Sequence, residues 1–396
     1  MFADPDVAGA GLSPAAISVL FILWSACSFL FEIPTGILAD RVPRRRLLVI
    51  GPVLTAAGFA LWTWWPSFAS FATGFVLWSA GSALRSGTMQ ALIYDTLSAR
   101  GHAARYASVS GRLRAFGAAG VLLGTASAVP LAAWAGYHAA GAASVVACLV
   151  CAAASWSLPE DAPPGGGASE GDHSHGGPAT EADAVWAVPA VAIRAVCADR
   201  ALCGLFLLVI ALTWVSALDE YLPLLADEIW PAGMWGWEPA SGVAVLMVVV
   251  AVGDIAGGWA ARRTRVEVLT ARRTAPWLII GAVALAVGSG SAHPAGIVLV
   301  ACAFAIFGWA FVMTEALMQQ RVSADVRATT SSVVGVGEEV VAVAAFGSWA
   351  LGSGWLSPSV LFALAAVPYA VLGMVLAGGV GATTARASAR YPKSTE

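Results

Sequence analysis

Charge is scarce in this chain. Only 11% of its 396 residues are Asp, Glu, Lys or Arg, where soluble domains carry about 25%. Asparagine is absent, and glutamine occurs only at Gln90, Gln319 and Gln320. These shortages exclude an ordinary soluble fold, because no single soluble core of this length could absorb the 59% of hydrophobic residues. The six cysteines (Cys27, Cys148, Cys151, Cys197, Cys203, Cys302) lie in or beside apolar segments, so no disulfide framework is expected. Cys148 and Cys151 form a C-x-x-C within an apolar run, where buried small residues are the better reading. No basic region precedes the first apolar run, and no cleavable signal peptide is expected. Nucleotide loops, zinc-type His/Glu spacings and nucleophile elbows are missing too, which argues against an enzyme, a cofactor or a nucleic-acid partner.

What is present is a series of apolar runs. Mean hydropathy is +0.77, and eleven spans read as transmembrane helices: 13–39, 47–65, 68–95, 106–129, 134–157, 200–225, 240–261, 275–291, 294–318, 328–352 and 357–381. Most reach the 20 or so residues that cross a bilayer. Ser13-Pro14 is a helix start, with Ser as N-cap and Pro at the first helical position. Of the 21 Lys and Arg, all but Arg85 fall in alternate connections or at helix ends beside them, and the remaining connections have none. Because Lys and Arg resist translocation, the basic side is expected to be cytoplasmic, with the C-terminal tail. The opposite loops carry Trp65, Trp230, Trp235, Trp237 and Trp355, which suits an interface.

The first basic connection is "EIPTGILADRVPRRR", Glu32 to Arg46. It resembles the G-x-L-A-D-R-x-G-R-R signature between the second and third helices of the major facilitator superfamily. Gly36, Leu38, Ala39, Asp40, Arg41, Arg44 and Arg45 match, and Pro43 replaces the second glycine. Proline also stops a helix, so a turn is expected to survive. A generic basic loop is the plain alternative. A second, degenerate copy lies 222 positions on. "DIAGGWAARR" (Asp254–Arg263) falls on Glu32–Arg41 with four of ten residues identical, and Arg262 stands where Asp40 stood. Transporters are often built from such repeated halves.

The resemblance implies an all-α integral membrane protein with a two-bundle fold and eleven helices, five and then six. The expected domains are 1–157, a linker at 158–199, a second bundle at 200–382 and a tail at 383–396. The family pattern has twelve helices, so its first helix is expected to be missing, by truncation or a late start codon. A natural eleven-helix protein with an outside N-terminus is the alternative. The linker is rich in Gly, Pro and acids and is expected not to order itself. His173 and His175 within it are not read as a metal site.

Ionisable residues at membrane depth are expensive and usually functional. The candidates are Glu32, Arg85, Asp95, Asp219, Glu220, Asp254, Glu315, Glu338 and Glu339. Their acid excess suits proton exchange, since a desolvated carboxyl shifts toward working pH, and it suits cationic substrates. By resemblance, a gating latch would use Gly36, Asp40, Arg41, Arg44, Arg45 and Asp95, with Arg112, Arg114 and Asp254 meeting across the halves. Arg85 is read as a buried cation that resembles the arginine of the family's fourth-helix motif; a structural pair with Glu32 is the alternative. Asp219 and Glu220 are placed toward the outer end of their helix. The alternatives are static ion pairing for the latch, a satisfied structural acid for Glu32, Glu338 and Glu339, and an outer-vestibule charge for Asp219 and Glu220.

The reading is a monomeric carrier in the inner membrane that exports small lipophilic or cationic compounds in exchange for protons. Uptake of a sugar or other metabolite is the second choice, disfavoured by the lack of the amide side chains that sugar sites use. A non-transporting or truncated membrane protein is the alternative of another class.

Overall fold

The computed structural model describes residues 11–85, 88–102, 105–158, 200–230, 239–264, 271–321 and 327–377. The expected linker beyond Leu158, His173, His175, Cys197, Trp235, Trp237 and the C-terminal tail lie outside the described residues. The chain divides into two compact units, Met1–Gly177 and Pro178–Glu396. Every described element is helical or a short connection.

In the first unit, α1 (Pro14–Arg41) begins as read. The Ser13 side chain accepts from the Ala16 N–H at 3.2 Å, and Pro14 takes the first helical position. At 28 residues it is about 42 Å long, more than the roughly 30 Å hydrocarbon core requires. It ends at extended Val42, and after Pro43 the chain re-enters helix as α2 (Arg44–Trp64). The turn therefore survives the loss of the glycine. α3 (Phe68–Arg85) and α4 (Thr88–Ala99) follow where one span was expected, with 86–87 outside the described residues. α5 (Tyr106–Trp156) runs for 51 residues. Two helices joined by a loop were expected there. Instead the helical path breaks at one residue, Gly136, whose φ of 74° lies in the left-handed region open to glycine.

The core of this unit is small residues and indole rings. α2 packs on α3 where Gly51 faces Gly81 and Gly58 faces Gly74; a Cβ at Gly81 would strike the Gly51 carbonyl. Such close approach is how helices associate in lipid, where water no longer drives them together. Trp24, Trp62, Phe75 and Trp78 cluster beside it, with Trp24 and Trp78 stacked at 5.5 Å. The indole N–H of Trp62 donates to the Phe71 carbonyl at 3.2 Å, which makes its burial tolerable. Ser79 donates to the Trp24 carbonyl and ties α3 to α1.

The second unit opens on α6 (Arg200–Leu212), α7 (Trp214–Asp219) and α8 (Leu222–Ile229). A single helix over 200–225 was expected, but Cys203–Asp219 and Leu222–Ile229 meet at 51°. Pro223 has no N–H to give the Asp219 carbonyl, so the ladder cannot run through. α9 (Pro239–Arg263), α10 (Ala271–Gly290), α11 (Gly296–Arg321), α12 (Arg327–Gly352) and α13 (Pro358–Ala365) complete it, and after Ala366 helix continues through 367–377. α9 and α10 both pack on α11. Gly253 and Gly257 lie against the Ala301 and Ala305 carbonyls.

Among the described residues, eight helices are long and apolar enough to cross a membrane, or nine if the bent pair is one span. This is an all-α integral membrane protein; eleven spans were expected, and that number goes beyond this measure. Trp65 and Trp355 are exposed as interface residues should be. Trp230 is not: it is buried with its ring over Gly242, because α8 turns back into the unit there.

Candidate functional site

Two sets of residues carry the functional reading, one in each unit. In the first, the arginine-rich connection is short. Arg44, Arg45 and Arg46 form the first turn of α2, where the positive end of the helix dipole repels them. Helix stability therefore does not explain their position. The Arg45 guanidinium lies 5.3 Å from the centroid of the Trp156 ring, so the turn is fastened to the far end of α5. Glu32, Gly36, Asp40 and Arg41 are in the last turns of α1, Asp95 is in α4 and Arg114 in α5, but their side chains lie outside the described residues. Arg112 is exposed on α5.

Arg85 was read as a buried cation within a helix. It lies on α3 and is exposed. Its aliphatic stem crosses Gly51, where an added Cβ would sit 3.0 Å from Cγ. The charged head is thus carried to the end of the α2–α3 packing seam.

In the second unit the acids collect around the broken helix. Asp219 is the last residue of α7 and Glu220 sits in the break before α8. Asp254 on α9 is close enough to Asp219 to repel it, as Glu220 and Asp219 repel each other. The Asp254 carboxylate lies against α11 at Gly308, where a Cβ would come within 2.9 Å of Oδ1. Among the described residues no Lys or Arg pairs with Asp219, Glu220 or Asp254. A second group of acids lies on α11 and α12. Glu338 of α12 is half-buried, has Thr213 within hydrogen-bonding reach and is repelled by Glu315 of α11 and by Glu339. Glu315 is exposed and Glu339 half-buried.

Sequence reasoning missed the groups that hold the break. The Tyr369 hydroxyl donates to the Leu212 carbonyl at 3.1 Å, which satisfies an acceptor freed where α6 ends. Tyr369 stacks on Phe307 at 3.7 Å, and Tyr221 stacks on Trp349 at 4.1 Å. Glu228 Oε2 accepts from the Ser359 N–H at 2.8 Å, so α8 caps α13. Pro223 after an acid pair was the available signal.

A family model described as Major Facilitator Superfamily matches residues 3–346. Among solved structures, the fold is similar to a mutant of the peptide transporter POT in complex with alafosfalin, with 17% identity, a TM-score of 0.63, and 96% of this chain and 88% of that chain covered. A sulfate complex of a peptide transporter POT gives 16% identity, a TM-score of 0.67, and 95% and 88% coverage. The nucleoside transporter NupG gives 11% identity, a TM-score of 0.64, and 92% and 90% coverage. No curated protein matches the chain significantly.

Proposed function

This chain belongs to the major facilitator superfamily, whose model matches it over residues 3–346, and is a membrane transporter of that family; on that premise we propose that it exchanges protons for small lipophilic or cationic compounds and exports them. The observation that carries this reading is the carboxylate group at the α7–α8 break. Asp219 is repelled by Asp254, Glu220 is repelled by Asp219, and none of the three has a base among the described residues to hold it ionised. A proton, or a cationic substrate, relieves that repulsion, and competition between the two for one site is what couples an antiporter. Glu315, Glu338 and Glu339 form the second relay. In this proposal residues 1–157 and 200–382 are the two bundles, joined by 158–199, with the tail at 383–396 on the cytoplasmic face of the inner membrane. Gly36, Asp40, Arg41, Arg44, Arg45, Asp95, Arg112, Arg114 and Asp254 form the gate, and the carrier works as a monomer by alternating access.

The test is dye movement in everted vesicles under an imposed proton gradient. The expected result is gradient-driven accumulation of a lipophilic cation, abolished by a protonophore. The reading is lost if accumulation is the same with and without the gradient. Uptake of a small metabolite is the second reading, favoured by the peptide and nucleoside transporters among the similar structures. Substrate counterflow into intact cells would support it over export.

A further inference from the structure

Helices α9 and α10 leave a groove whose floor is α11. Its volume is about 460 Å³, in the range of sites that take a small-molecule-sized group. Gly257, Ala260, Thr264, Arg273, Trp277 and Trp309 line it. The lining is almost wholly apolar. Its one hydroxyl is committed, since Thr264 donates to the Ala260 carbonyl at 2.9 Å and accepts from the Trp309 indole N–H at 3.2 Å. No hydroxyl is thereby left to orient a polar solute along the walls. The one charge is Arg273, which is exposed and has no ion-pair or hydrogen-bond partner among the described residues. Arg262 and Arg263 end α9 at the same end of the groove, and Arg263 sits 3.5 Å over the Trp259 ring.

The outer edges of the groove face the surroundings. Trp277 and Trp259 are half-exposed, and so are Ile280 on α10 and Val252 on α9. An open apolar trough with indoles along it and arginines at one end has the complementarity of a phospholipid: acyl chain along the trough, phosphate at the Arg273 guanidinium. Arg suits this because its planar fork meets two phosphate oxygens at once.

We propose that the α9–α10 groove is a binding site for an anionic phospholipid, with its phosphate on Arg273 and one acyl chain laid over Ala260 and along the wall that Trp277 and Trp309 form, their rings edge to face at 6.4 Å. The occupant is a lipid and not a transported solute, and none of the carboxylates of the proposed transport path lines the groove.

The test is native mass spectrometry of the full-length protein, purified in detergent and offered equal amounts of phosphatidylglycerol and phosphatidylcholine. The expected result is preferential retention of phosphatidylglycerol by the folded protein. Arg273→Gln is expected to lower that preference about fivefold, the effect of one basic residue near the headgroups, and Arg273→Lys to keep most of it. Ala260→Phe fills the trough and is expected to lower retention of both lipids with the charge intact. Arg46→Gln, an exposed arginine of the other unit, is expected to change nothing. The proposal is overturned if Arg273→Gln or Ala260→Phe behaves as wild type, or if Arg46→Gln loses as much preference as Arg273→Gln. It is equally overturned if soluble glycerol 3-phosphate displaces the lipid as well as added phosphatidylglycerol does, since the site would then hold a free anion.

Discussion

Glu220 is the residue on which the transport reading presses hardest. It sits where the backbone leaves the helix, between Asp219 and the stacked Tyr221, with no base among the described residues to neutralise it. Replacing it with Gln keeps size and hydrogen-bonding capacity and removes the titration. Glu220→Gln is therefore expected to insert normally and still exchange substrate at equilibrium, while gradient-driven accumulation in everted vesicles falls to background. If accumulation remains gradient-dependent, the proton site lies elsewhere. The identity of this acid could be read from its sequence, because an ionisable residue in an apolar run stands out. Its neighbours could not. Asp254 lies 34 positions beyond Glu220 and approaches through the space that Gly308 leaves, a contact between α9 and α11 that no local pattern encodes. Arg85 shows the opposite failure: it was legible as a membrane-depth charge, yet it is exposed, with its stem laid across Gly51.

Among the elements, the broken helix α6–α7–α8 departs most from its sequence reading. Apolar periodicity runs unbroken through it, and only Pro223 marks the fault. The structure holds the fault open with groups from distant helices, above all Tyr369 on the Leu212 carbonyl. Removing that hydroxyl leaves a buried acceptor unsatisfied. Tyr369→Phe is thus expected to destabilise the protein by about 1–2 kcal/mol, seen as a lower unfolding temperature in detergent, without loss of the aromatic stack on Phe307. No change in unfolding temperature would mean that the carbonyl finds another partner. The first helix start was the most legible feature, because Ser13-Pro14 acts within one turn of where it stands. The break at Gly136 was placed a few residues early. A glycine in an apolar run does not announce its φ, whereas Pro130 nearby does advertise a break and was tolerated inside α5.

At the scale of the molecule, the repeat offers a check on topology. α1 ends at Arg41 and α9 ends at Arg263, which are the last aligned positions of the two decapeptides. Both helices thus finish at the same point of the motif, although the second copy has lost its acid. If both ends face the cytoplasm, a single cysteine at Arg262, in a background with the native cysteines replaced, is expected to be labelled in everted vesicles and protected in intact cells from an impermeant maleimide. Labelling in intact cells would reverse the threading and remove the proposed direction of transport. The amino-acid sequence alone determined that this protein lives in lipid, that its basic connections alternate and that its loop motif is that of one transporter family. Those properties are carried by composition and by residues adjacent in the chain, and desolvation energies act on them wherever they fall. Only the tertiary structure decided where the helices break, which acids gather at the break and that α9 and α10 leave a trough over α11. Those depend on glycines and aromatic rings that meet from helices far apart in the chain, and short-range pattern contains no record of such meetings.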